Sequence, residues 1–159
     1  MSIKIKNINY NNTKDIRLLE AVLTNWFNNP KELNLIDPRI SYPFNFKKWI
    51  EITYKESNIQ SYCWKDDKWI VGIGNIKFNQ KSQKAHAFHI FTDPEYRNQG
   101  LATRMLQYLE KLAKNERMKY LTINVMPKNK AAKVLYEKLC FQKVKTSNDK
   151  WEKMEKIIA

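Results

Sequence analysis

The order of apolar and polar positions changes period several times along the chain, and each change marks an element. Ile3 and Ile5 alternate with Lys4 and Lys6, which predicts a strand over residues 3–8. Ile16, Leu19, Leu23 and Phe27 then fall at helical spacing behind Thr13, a residue suited to capping, and Pro30 is expected to close that region. A loop through Asp37, Pro38, Ser41, Tyr42 and Pro43 leads to a second helix expected over residues 46–55. Runs rich in β-branched and aromatic residues follow at 59–64, 69–78 and 85–91, with Asp66-Asp67 as a turn. Their spacing predicts an antiparallel meander.

Beyond Pro94 a glycine-containing loop opens a helix whose Leu101, Met105, Leu109, Leu112 and Ala113 form an apolar stripe. A strand over 120–125, a helix over 131–139 and closing strands over 141–145 and 151–157 complete the order. The class is mixed α/β, with a strand–loop–helix–strand unit at its centre. No repeat, low-complexity tract or linker divides the chain, so one domain is expected over residues 1–159.

Composition narrows the function classes. With 43% hydrophobic and 13% aromatic residues, the chain has enough apolar surface for a core. Charges interrupt every apolar stretch well short of the roughly 20 residues that span a bilayer, so no membrane partner is expected. The first residues lack the apolar block of a secretory signal, and Cys63 and Cys140 have neither metal-type nor framework spacing. The expectation is a cytoplasmic protein with reduced thiols and no metal. A net charge of +13 invites an anionic ligand. Of the 29 basic residues, however, 24 are Lys and five are Arg, and the Lys are spread evenly, which speaks against a nucleic-acid partner.

The segment from Thr92 to Thr103 carries the most chemistry, because it joins a strand to a helix. Free N–H groups at a helix start, together with the macrodipole, favour a phosphate or pyrophosphate there. Gly100 permits unusual torsions and close approach, and Ala102 keeps the next position small. Arg97, Asn98 and Gln99 precede the helix, whose first turn holds Leu101 and Thr103; the Arg97, Gln99 and Thr103 side chains add donors. No Gly-Lys-Ser/Thr follows and only one dinucleotide-type glycine is present, so neither of those phosphate-binding fingerprints applies. Arg97-x-x-Gly100-x-Ala102, after a strand and before an amphipathic helix, resembles the acetyl-CoA pyrophosphate loop of the GNAT acetyltransferases. A second match runs from Asn124 to Phe141, where Asn129, Ala132, Tyr136 and Phe141 fall on the family's Asn, small helical residue, Tyr and strand-opening Phe. Cys140 departs from the pattern, since the family usually has a left-handed Gly there.

The resemblance implies a GNAT-like mixed, mostly antiparallel twisted sheet with a central splay, flanked by helices, and acetyl-CoA lying in the splay as acyl donor. Backbone groups near Phe91 and Thr92 would pair with the pantetheine arm and help stabilise an oxyanion. The implied reaction is direct acetyl transfer to a primary amine of a small molecule or a peptide; a CoA-binding module without turnover is the alternative. Tyr136 matches the family's proton donor. His86, eight residues before Pro94, lies where the family often carries a Glu or His base, with a water chain as the alternative. Strict alternation would put His86 with Phe88 and Ile90, opposite His89. Polyamine-type acceptors would call for an acidic pocket, for which Glu20, Glu32, Asp37 and Glu51 are candidates. Such sheets often pair, so a homodimer is possible.

Overall fold

The computed structural model describes residues 2–145 and 150–159. Asparagine side chains start four of its helices by accepting from free first-turn N–H groups. Asn12 takes Asp15 N–H and opens α1 (Thr13–Trp26), so Thr13 is the first helical residue and not the cap. Asn29 takes Lys31 and Glu32 N–H and opens α2 (Pro30–Ile36). Pro30 therefore begins a helix where a stop was expected: its fixed φ and missing N–H suit the first helical position. Asn45 opens α3 (Phe46–Trp49), which continues as a π-helical turn over Ile50–Tyr54. The fourth, Asn129, is taken up below.

Seven strands form one sheet in the order β1-β2-β3-β4-β5-β7-β6. They are β1 (Ile3–Asn7), β2 (Ile59–Asp66), β3 (Trp69–Asn79), β4 (Lys84–Thr92), β5 (Tyr120–Val125), β6 (Gln142–Val144) and β7 (Glu152–Ile157). Among the described residues only β4 and β5 pair in parallel, and α4 (Leu101–Asn115) makes the crossover between them. The expected meander and mixed sheet are present, with element ends differing by a few residues.

Each face of the sheet carries a core. On one side α4 buries Leu101, Met105, Leu106, Leu109 and Ala113 against Ile76, Phe78, Ala85, Ala87 and Leu121. On the other, Leu19, Val22, Leu23, Phe27 and Trp49 from α1 and α3 meet Ile70, Ile73 and Phe91. Trp26, Trp49 and Trp64 are core residues, whereas Trp69 is 45% exposed.

The helix α5 (Lys130–Lys138) ends at Cys140, whose φ of 72° is left-handed. Cys140 N–H donates to Glu137 O and Phe141 N–H to Tyr136 O, both at 3.0 Å, which is the Schellman arrangement. The Tyr136 and Phe141 rings pack 6.0 Å apart and complete it. The family's usual glycine geometry is thus kept, with the steric cost of a Cβ in that region. Cys140→Gly is expected to raise stability by about 1 kcal/mol, read as a higher urea midpoint at unchanged slope; an unchanged or lower midpoint would show that the left-handed cap carries no strain.

Candidate active site

β4 and β5 stay paired only from Lys84↔Tyr120 to Ala87↔Ile123. Beyond that point β4 follows β3 and β5 follows β7, so the sheet opens between them. The divergence begins at a bulge: Ile73 faces Phe91 and Asn75 faces Phe88, leaving His89 and Ile90 opposite the single residue Gly74. His89 has φ 46°, a left-handed value that costs an L residue energy. Gly74 is required on the facing strand, because a Cβ there would collide with Met105 of α4. Buried Asn75 satisfies the distorted backbone, its amide donating to Phe88 O and His89 O at 3.4 and 3.3 Å.

The His89 ring is clamped as well. It stacks on Trp49 at 4.1 Å, Tyr54 O–H donates to its Nδ1 at 2.6 Å, and its Nε2–H donates to Asp37 at 2.8 Å. Asp37, at the end of α2, also accepts from Arg39 Nε and a second guanidinium nitrogen at 2.9 and 2.7 Å. Burial opposes the Asp37 charge, but the Arg39 and His89 hydrogen bonds outweigh it and hold the carboxyl well below its usual range. Burial pushes the His89 imidazole down, against the pull of Asp37, so the ring is neutral. The bulge also corrects the alternation argument. His89 shares the α1–α3 side with Phe88 and Phe91, while Ile90 turns to the α4 side with Ala85 and Ala87.

The opening forms a cavity of about 520 Å³. Phe91, Thr92, Arg97, Asn98, Ala102, Asn129, Ala132 and Tyr136 all line it, as the sequence reading grouped them. Gln99, Gly100, Leu101 and Thr103 lie outside its lining at the start of α4. Gly100 caps that helix with φ 79°, offers no side-chain acceptor to the first-turn N–H groups, and has open space where a Cβ would stand. Leu101 is a core side chain, 3% exposed, and its carbonyl accepts from Trp64 Nε1. Arg97 folds over the Phe91 ring, donates to Thr92 O at 3.1 Å and pairs with Glu32 at 3.3 Å. Asn129 caps α5 through Ala132 N–H at 3.2 Å. Open N–H groups, an unpaired β4 edge and a gap walled by both polar and apolar side chains suit an extended, phosphate-ended ligand.

A second pocket of about 220 Å³ meets this cavity at Ile36, Phe88, His89 and Asn124. Of these two pockets, His86 lines the second and not the first, whereas Tyr136 lines the first and not the second. His86 Nδ1 lies 2.7 Å from Thr122 Oγ1, whose hydroxyl also reaches Ala85 O at 3.4 Å; the tautomer that satisfies both contacts has Nδ1–H donating and the lone pair on Nε2. Burial, aided by the charges of Lys153 and Lys77, pushes His86 down to about 4. Burial pushes Tyr136 up to about 12; its hydroxyl bonds to no other described residue. The acidic candidates do not converge. Glu20 and Glu51 share a distant depression, Glu32 pairs with Arg97, and Asp37 belongs to the His89 clamp. Cys63 is buried, its thiol pushed up to about 11 by desolvation. Among the described residues no group of three or more His, Cys, Asp and Glu is placed to hold a metal, and no helix is long and apolar enough to cross a membrane.

The fold and site fit what known proteins show. The profile of the acetyltransferase (GNAT) family matches residues 21–141, and the chain belongs to that family. Acetyl-CoA is the family's acyl donor. No curated protein matches the sequence at a significant level. Among solved structures, the PaiA N-acetyltransferase of Thermoplasma acidophilum, in complex with coenzyme A, is similar at TM-score 0.73 and 19% identity, covering 99% of each chain. The GNAT domain of S. lividans PAT gives 0.79 at 10% identity, over 98% of this chain and 90% of that one. The ribosomal-protein-S18-alanine N-acetyltransferase of Escherichia coli gives 0.67 at 18%, over 97% and 91%. These likenesses are of fold.

Both imidazoles have folded pKa values below the free value of about 6.5, so the unfolded chain binds more protons at mildly acidic pH. Their contribution is full above that value and declines as pH falls below it, that of His86 being lost towards about 4. Asp37 enters only below the ordinary carboxylate range. The urea midpoint should therefore be lower at pH 5 than at pH 7, and His86→Gln should narrow the difference; equal midpoints would contradict two neutral buried imidazoles.

Proposed function

We propose that this chain, as one catalytic domain, is an N-acetyltransferase that moves the acetyl group of acetyl-CoA directly to a primary amine. The carrying observation is the junction of two pockets at the β4 bulge, one lined by Arg97, Asn98, Ala102 and Tyr136, the other by His86. Arg97, Asn98, Ala102 and the first N–H groups of α4 would hold the pyrophosphate, and the free edge of Phe91 and Thr92 the pantetheine arm. Bound acetyl-CoA supplies an electrophilic thioester carbonyl. The amine nitrogen forms the C–N bond as the C–S bond breaks, and it must lose a proton, since an alkylamine has a pKa near 10.4. His86, unprotonated at neutral pH with Nε2 free, passes that proton to water; its low pKa suits a relay better than a store. Tyr136 remains a phenol at neutral pH and donates to the departing sulfur, regaining its proton from solvent.

Gly100→Glu is expected to abolish acetyl-CoA binding in calorimetry while the domain stays folded, because a carboxylate would occupy the anion site; retained affinity would remove the loop from the proposal. Tyr136→Phe should lower turnover about 10²-fold with cofactor affinity nearly unchanged, measured by thiol release. Unaltered turnover would take Tyr136 out of the mechanism, and acetyl-CoA binding by the unmodified protein without thiol release for any amine would identify a non-catalytic CoA-binding module.

A further inference from the structure

The pocket containing His86 does not end there. It shares Lys77, His86, Asn124 and Trp151 with a further depression of about 440 Å³, so the two form one groove running from the bulge along the sheet face. Among the described residues, each carboxylate beside the groove is already paired with a cation. Asp37 binds Arg39 and His89, and Glu56 pairs with Lys77. Glu155 holds Lys84 at 3.0 Å. Lys153 also lines the far depression, opposite Asn124 in the β5–β7 register. It forms no ion pair with any described residue. A polycationic amine entering the groove would have to break an existing pair to find a carboxylate, and would bring its charge towards Lys153. An anionic tail meets the opposite situation, a single cation with nothing to displace.

Resting on the N-acetyltransferase reading, we infer that the acceptor is a primary amine carrying a carboxylate or phosphate, seated with its nitrogen towards the bulge and its anion on Lys153. His86, between the two ends, would then face the amine. The downward push that Lys153 and Lys77 exert on His86 shows that their positive field reaches the middle of the groove.

The test begins with calorimetry of acetyl-CoA and proceeds to thiol-release kinetics on matched probes. These are glucosamine with and without a 6-phosphate, the dipeptide alanyl-phenylalanine as free acid and as C-terminal amide, and spermidine. The expected result is a kcat/KM at least tenfold higher for the anionic member of one pair than for its neutral partner and for spermidine. Which pair responds distinguishes phosphate from carboxylate. Lys153→Gln should collapse that ratio towards one, mainly through KM, and Lys153→Arg should keep it. Equal or faster turnover of the neutral probes or spermidine would overturn the inference. So would a ratio unchanged in Lys153→Gln, or binding of acetyl-CoA with no acetylation of either anionic probe. Failure to bind acetyl-CoA would instead overturn the N-acetyltransferase reading on which the inference rests.

Discussion

Everything distinctive about this molecule depends on the bulge in β4. A parallel pair of strands satisfies its backbone groups only while the strands stay together, so separating them leaves donors and acceptors without partners. The bulge allows β4 to turn away after Ala87 and remain hydrogen-bonded to β3. Its cost is a left-handed His89 and carbonyls out of register, and the surroundings offset both. Asn75 donates to the carbonyls, and Gly74 lets α4 approach. The clamp of Tyr54, Trp49 and Asp37 then fixes the ring. The cavity lies between the separated strands, and the second pocket meets it at the same residue.

The electrostatics follow from that geometry. Opening the sheet places two imidazoles where burial favours their neutral form, while Arg39 keeps Asp37 ionised although it is 4% exposed. Around the two pockets several basic side chains are locally paired. Lys77, Lys84 and Arg39 each hold a carboxylate around the second pocket, and Arg97 reaches Glu32 beside the first. A formal charge of +13 thus says less about partners than which cations line the pockets. Asparagine abundance has a structural outlet too, since four of these residues cap helices.

The site was legible in proportion to how local its determinants are. The Arg97–Thr103 loop and the Asn129–Phe141 segment could be read because helix starts and left-handed caps are set by a few consecutive residues. Cys140 adopts the left-handed cap that its place in the pattern implied. His89 was assigned to the wrong side because a period of two contains no sign of an extra residue. Asp37 was visible only as an acid in a loop, 52 residues from the histidine it binds. Pro30 misled for a related reason: a proline ends one helix and opens another equally well, and the decision rests with Asn29.

From its sequence alone the chain determined the order and type of most of its elements, α2 excepted, the apolar stripe of α4 and the phosphate-suited helix start, because each depends on neighbours within a few turns of chain. The tertiary structure decided where β4 leaves β5, which histidine is clamped and which lines the groove, and which of 24 lysines lines the groove with no ion pair to a described residue. Those outcomes depend on contacts between residues far apart in sequence. Burial and pairing act on side chains only after the fold has brought them together.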